Sequence, residues 1–200
     1  MPTPWKDTVR ASGRLKIHCT DSLVGDWRSV VADAMTEFNS ISTRGTLGVS
    51  FVDEAAEDQA NVIVWNVDGT RSTSFAGTTT TVNLRGNASA GNTRTFSIGG
   101  RMEMAHVFLP STPGQYSQMR ALGRPVRLVI AFHELIHCCG LHNDDHGGLA
   151  FHGHPSATRA RNAADDVVSV QTENGYVHMP PLVITPETGR RIRANWTSGE

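Results

Sequence analysis

His133-Glu134-Leu135-Ile136-His137-Cys138-Cys139-Gly140-Leu141-His142 is the stretch on which the reading of this 200-residue chain turns. On an α-helix, four residues advance the chain by about 6 Å and return it to within roughly 40° of the same direction, so His133 and His137 can aim both imidazoles at one ion. Glu134, one position on from His133, is rotated off that line. Its carboxylate can reach a water on the ion without becoming a ligand, which is the placement of a general base. Gly140 can adopt the positive φ that stops a helix, and the chain can then turn back to bring His142 to a third corner. Three imidazoles with a fourth position left to water are the arrangement of a catalytic zinc ion, whereas a structural zinc is closed by a fourth side chain.

In its order of histidines, glutamate and glycine the stretch resembles the His-Glu-x-x-His-x-x-Gly-x-x-His signature of the metzincin zinc endopeptidases, which a methionine turn follows later in the chain. The resemblance implies a metzincin-like α+β fold. A twisted mixed sheet with an antiparallel edge strand and two long helices above it would face an irregular C-terminal subdomain ending in a closing helix, with zinc in the cleft between. It also implies one catalytic zinc on His133, His137 and His142, a zinc-bound water activated by Glu134, and hydrolysis of extended peptide or protein segments. Met179, in Tyr176-Val177-His178-Met179-Pro180-Pro181, is the only methionine after the motif and the candidate for the methionine turn. Some branches carry a tyrosine two residues after that methionine; here the position is Pro181. Met104, Ala105, His106, Val107, Phe108 and Leu109 look like the matrixin edge strand, on which a substrate backbone pairs by β-augmentation. Matrixins hold a second zinc in a loop before that strand, but no histidine lies between His18 and His106, so one zinc is expected.

Composition agrees with one catalytic domain. A hydrophobic content of 38% over 200 residues supplies a core without staples. The net charge of −1, with both signs interspersed, points to neither nucleic acid nor an anionic membrane as a partner. No early apolar run has signal-peptide character and no later one reaches a membrane span, so synthesis in the cytoplasm without a signal peptide is expected. Export by another route, action inside the producing cell, and incorporation into a larger particle such as a virion all stay open. Three cysteines do not make a disulfide framework; Cys19 reads as a strand residue, and Cys138 and Cys139 as packing on the motif helix.

In chain order, residues 1–13 read as a polar arm, 14–142 as an upper subdomain ending in the motif helix, and 143–200 as a C-terminal subdomain. Arg14 to Thr20 is a strand. Trp27, Val30, Val31, Ala34, Met35 and Phe38 fall at helical spacing and give a packing helix. Leu47, Val49 and Phe51 alternate as a strand, and Asn61 to Val67 is a second, more buried one. Residues 68–100 are rich in Thr, Ser, Gly and Asn and read as loop, with Thr78 to Leu84 a short strand. Pro125 opens the motif helix, whose buried sides carry Val126, Val129, Ile130, Phe132, Ile136 and Cys139. Beyond it, His146, His152 and His154 fall in a turn-rich loop, where the last two read as solvated. Asp144 and Asp145 lack the dense alternation of oxygen ligands that would support calcium. Ser156 caps an inserted helix over Ala160 to Val168, and Thr185-Pro186-Glu187 starts the closing helix.

Two other readings compete with the endopeptidase. The site could hold zinc without useful hydrolysis in a structural or binding component of a larger assembly, against which the retained Glu134 argues. Alternatively, Asp165 or Asp166 could be the third ligand, which Gly140 and His142 make unnecessary.

Overall fold

The computed structural model describes residues 2–67, 69–84, 91–111, 124–146, 170–172, 175–178, 182 and 184–197. After a short helix α1 (Asp7–Ser12), strand β1 (Arg14–Cys19) leads into helix α2 (Trp27–Gly45) and strand β2 (Ser50–Asp53). Strand β3 (Val62–Val67) precedes a hairpin, β4 (Thr70–Phe75) and β5 (Thr78–Asn83), and then β6 (Asn92–Ile98) and β7 (Arg101–Pro110). Helix α3 (Arg124–Cys138) carries the motif, followed by the single turn α4 (Asn143–His146), the pair β8 (Val170–Thr172) and β9 (Gly175–His178), and helix α5 (Pro186–Thr197). No helix among the described residues is long and apolar enough to cross a membrane.

The fold is α+β. A five-stranded mixed sheet runs in the order β2-β1-β3-β7-β6, parallel except for β6, which is antiparallel to β7. The expected antiparallel edge is therefore present, but it is not the expected segment. Met104, Ala105, His106, Val107, Phe108 and Leu109 lie on β7, bonded to β3 on one side and to β6 on the other. Burial explains the placement: Ala105, Phe108 and Leu109 are inaccessible to solvent and Val107 nearly so, and a run this apolar belongs inside a sheet. Among the described residues the edge is β6, whose polar Asn-Thr-Arg-Thr pattern suits a strand paired on one side.

Helix α2 buries Trp27, Val30, Val31, Ala34 and Phe38, as their spacing dictates, while Met35 is partly buried at the margin. Phe38 links three elements, packing edge-on to Phe51 of β2 at 4.7 Å and against Phe132 of α3 at 5.9 Å between ring centroids. Ion pairs of Arg127 with Asp26 and Arg124 with Asp33 join α2 to α3 near the surface. Side chains of α2 also bond to the chain around β2: Asn39 Oδ1 accepts from the Phe51 N–H and its Nδ2 donates to the Phe51 carbonyl, both at 2.8 Å, and Ser42 Oγ donates to the Val49 carbonyl.

Residues 2–6 are not a detached arm. Trp5 is wholly buried, bridges to Met102 of β7, and donates its indole N–H to the Cys138 carbonyl at 2.7 Å. An isolated tryptophan in a polar run gives no local periodicity, yet burying an indole with its N–H satisfied is strongly favourable, and it draws the segment into the core. The stretch 68–100 likewise holds more order than its composition suggests. The β4–β5 hairpin covers the rings of Trp65, Phe96, His106 and Phe108, with the Arg71 guanidinium 3.9 Å from the Trp65 ring centre.

His106 sits among these rings and bonds through Nδ1 to Thr73 Oγ1 at 2.8 Å. Burial, and secondarily the charge of Arg71, pull its pKa down from 6.5 to about 4. The unfolded chain therefore takes up this proton first, and stability falls as pH drops from about 6.5 towards 4, by about 3 kcal/mol in all. Urea midpoints measured across that window should fall less steeply in His106→Gln than in wild type, and equal slopes would contradict the assignment. Phe38→Ala should lower stability by about 3–5 kcal/mol, because it opens a cavity where three elements meet. The same urea series measures it.

Candidate metal centre

Helix α3 owes its orientation to a broad apolar surface. Val129, Ile130, Phe132, Leu135 and Ile136 are buried, which fixes the rotation of the helix and leaves His133 and His137 half-buried together on one face. Their rings lie 4.8 Å apart between centroids, and the two Nε2 atoms are separated by 3.1 Å. His137 Nδ1 lies 2.8 Å from the Leu141 carbonyl oxygen, which can only accept; Nδ1 therefore carries the proton and Nε2 presents a lone pair. A hydrogen bond from the ring's other nitrogen to a backbone carbonyl is what fixes the tautomer of a ligating histidine.

At Gly140, φ is +88°, and a Cβ there would come within 2.2 Å of the Thr3 carbonyl oxygen. Only glycine fits. The Cys139 and Gly140 N–H groups serve the carbonyls of Leu135, Ile136 and His137, and the carbonyls at and just past the end of α3 are taken up by residues distant in sequence. Trp5 donates to Cys138, Asn195 and Trp196 donate to Cys139 at 2.9 and 3.1 Å, and the Thr3 N–H donates to Gly140 at 2.8 Å. Cys138 and Cys139 are buried free thiols, their pKa values raised by burial, as packing residues require.

His142 does not join the other two histidines. It is exposed, and its Nε2 pairs with Thr3 Oγ1 at 3.0 Å. The spacing accounts for this: one residue, Leu141, separates Gly140 from His142 where the metzincin signature has two, and the signature position falls on Asn143. The chain instead makes one further turn, α4, in which Asp145 Oδ2 accepts from the His142 N–H at 3.0 Å as the reciprocal half of a capping box. That turn delivers His146. Its ring is 4.8 Å from His133 and 4.7 Å from His137 between centroids, and the three residues offer ligand nitrogens all within 4.8 Å of one another. The local signal for this turn is the Asn143-Asp144-Asp145 helix start, whose third residue supplies the capping carboxylate. Asp145 is engaged by the His142 N–H and by Arg191, which also donates to its carbonyl.

His146 is buried, and among the described residues neither ring nitrogen has a hydrogen-bonding partner. An imidazole so placed is costly unless something accepts its lone pair. Burial lowers its pKa to about 4, and burial with the neighbouring His137 and His146 takes that of His133 well below 6.5. This favours neutral rings at His133 and His146, the form that ligates metal. Three histidines that close together can bind a metal ion. Glu134, next to His133, is buried, and its Oε2 accepts from Thr93 Oγ1 of β6 at 2.6 Å.

Met179, Pro181, His152, His154, Asp165, Asp166 and the helix expected after Ser156 lie outside the described residues. Compared with known proteins, the chain matches no protein-family model, and no curated protein matches it significantly.

With zinc as the probe ion, His146→Ala should lose tight binding in a competition titration against a chelator, as His133→Ala and His137→Ala do. His142→Ala should retain it to within about tenfold, the size of an indirect effect. Loss of binding in His142→Ala alone would restore His142 as the ligand.

Proposed function

We propose that the chain is a zinc-dependent endopeptidase in which His133, His137 and His146 hold one zinc ion and Glu134 is the general base. The observation that carries this reading is the His146 imidazole, buried with neither nitrogen partnered among the described residues, beside two histidines whose Nε2 atoms face each other. Two nitrogens on a tetrahedral zinc at 2.0–2.1 Å lie about 3.3 Å apart, close to the 3.1 Å separation of His133 and His137. An all-imidazole donor set suits zinc, and three protein ligands leave a position for chemistry.

When bound, zinc supplies Lewis acidity, lowering the pKa of water and polarising a carbonyl oxygen. Glu134 then takes the proton of the attacking water and returns it to the leaving amine, so the peptide bond breaks without a covalent enzyme intermediate. The half-buried setting of His133 and His137, with His146 and Glu134 buried behind them, limits access of bulk water and strengthens these charge interactions. Strand β6 supports a peptide substrate. It ends the sheet among the described residues and lies against α3 at Glu134, so a peptide extended along it would pass the base. That role passes to β6 from the 104–109 segment.

Zinc-loaded wild type incubated with denatured proteins should generate new peptide ends, identified by mass spectrometry. Glu134→Gln should keep its zinc and lose at least about 10²- to 10⁴-fold in rate, the contribution of a positioned acid–base group. Undiminished cleavage by Glu134→Gln would sink the mechanism.

A further inference from the structure

Strand alternation places residues 91 and 93 on the same face of the chain, that of α3, and Asn92 on the other. Thr93 Oγ1 lies 2.6 Å from Glu134 Oε2 and 3.4 Å from the Glu134 backbone carbonyl. An ionised carboxylate can only accept, so the hydroxyl donates, and 2.6 Å is the length of a charge-assisted O–H···O bond. Gly91 meets the same carboxylate. A Cβ there would stand 2.7 Å from Oε1, 3.1 Å from Cδ and 3.0 Å from Ile130 Cγ2, so only glycine leaves the carboxylate where it is.

The terminal torsion of a glutamate is broad and roughly two-fold, so a carboxylate at the end of three torsions is poorly defined unless something holds it. Here one strand bonds one oxygen and leaves a fitted space for the other. We infer that Thr93 is a positioning residue for the general base: through it, β6 fixes the orientation in which Glu134 meets the attacking water. The inference rests on the endopeptidase reading. Thr93 moves no proton in the reaction; it restricts the base to one orientation, and restricting a reacting group is worth rate rather than binding.

Thr93→Val removes the hydroxyl and keeps the branched shape. In zinc-loaded protein it should leave zinc content unchanged and KM within about threefold, while kcat falls about tenfold to a hundredfold, the cost of a misplaced catalytic group. Thr93→Ser, which restores the hydroxyl, should return kcat to within about threefold of wild type. A wild-type kcat in Thr93→Val, or a Thr93→Ser enzyme as slow as Thr93→Val, overturns the assignment. A second measurement does not depend on turnover: a double-mutant cycle on urea midpoints with Thr93→Val, Glu134→Ala and the double variant. Coupled midpoints are expected; additive ones overturn the bond itself. If zinc-loaded wild type cleaves nothing, the endopeptidase reading falls and takes the positioning role with it, while coupled midpoints would still establish the Thr93–Glu134 pair.

Discussion

The C-terminal end of the motif helix is the constraint on which the rest depends. A helix leaves its last carbonyls without partners, and in a buried position each unpaired one costs stability. Here the Cys139 and Gly140 N–H groups meet three of them, and the carbonyls of Cys138, Cys139 and Gly140 accept from Trp5 and Thr3 on the N-terminal side and from Asn195 and Trp196 of the C-terminal helix. Gly140 makes the convergence possible, since the space its missing Cβ would fill is occupied by the Thr3 carbonyl and the Asn195 amide. The two histidines on the helix and the one beyond it are thus held in register by residues almost the whole length of the sequence apart.

The same arrangement explains why His142 and His146 differ in role. The left-handed turn at Gly140 sends the chain outward, where the first histidine it meets is claimed by Thr3. One capped turn, held by Asp145 and by Arg191 from α5, brings the chain inward again and buries the second. Burial of an imidazole without a partner among the described residues is a local cost, and such costs gather at functional sites.

What was legible in the sequence was what depends on local period. Arg14 to Cys19, the apolar stripe from Trp27 to Phe38, and Val62 to Val67 each show their burial in their spacing. His133, Glu134 and His137 were legible for the same reason, since a helix fixes their relation. The rest depended on contacts distant in sequence. Trp5 is a lone aromatic whose partners are on β7 and α3. Strands β4 and β5 are largely threonine and serine, with Thr73 and Val82 their buried side chains, so no apolar alternation marks them. In β6 the face that would have shown a pattern is turned to the carboxylate of Glu134, and it carries Gly91 and Thr93 where a core strand would carry valine. Counting residues places the signature position on Asn143, but which later histidine turns inward depends on the capped turn α4, a contact that spacing alone does not show.

The two margins of the sheet are not equivalent. At β2 the outward backbone groups of Phe51 and the carbonyl of Val49 are already occupied by Asn39 and Ser42 from the preceding helix. A hydrogen-bonding ladder has no foothold there, and a neighbouring chain cannot extend the sheet from that side without first displacing the helix's own amide. Growth by strand addition is therefore directional. The fold closes one flank with its own side chains, whereas the other, which ends the sheet among the described residues, lies beside Glu134.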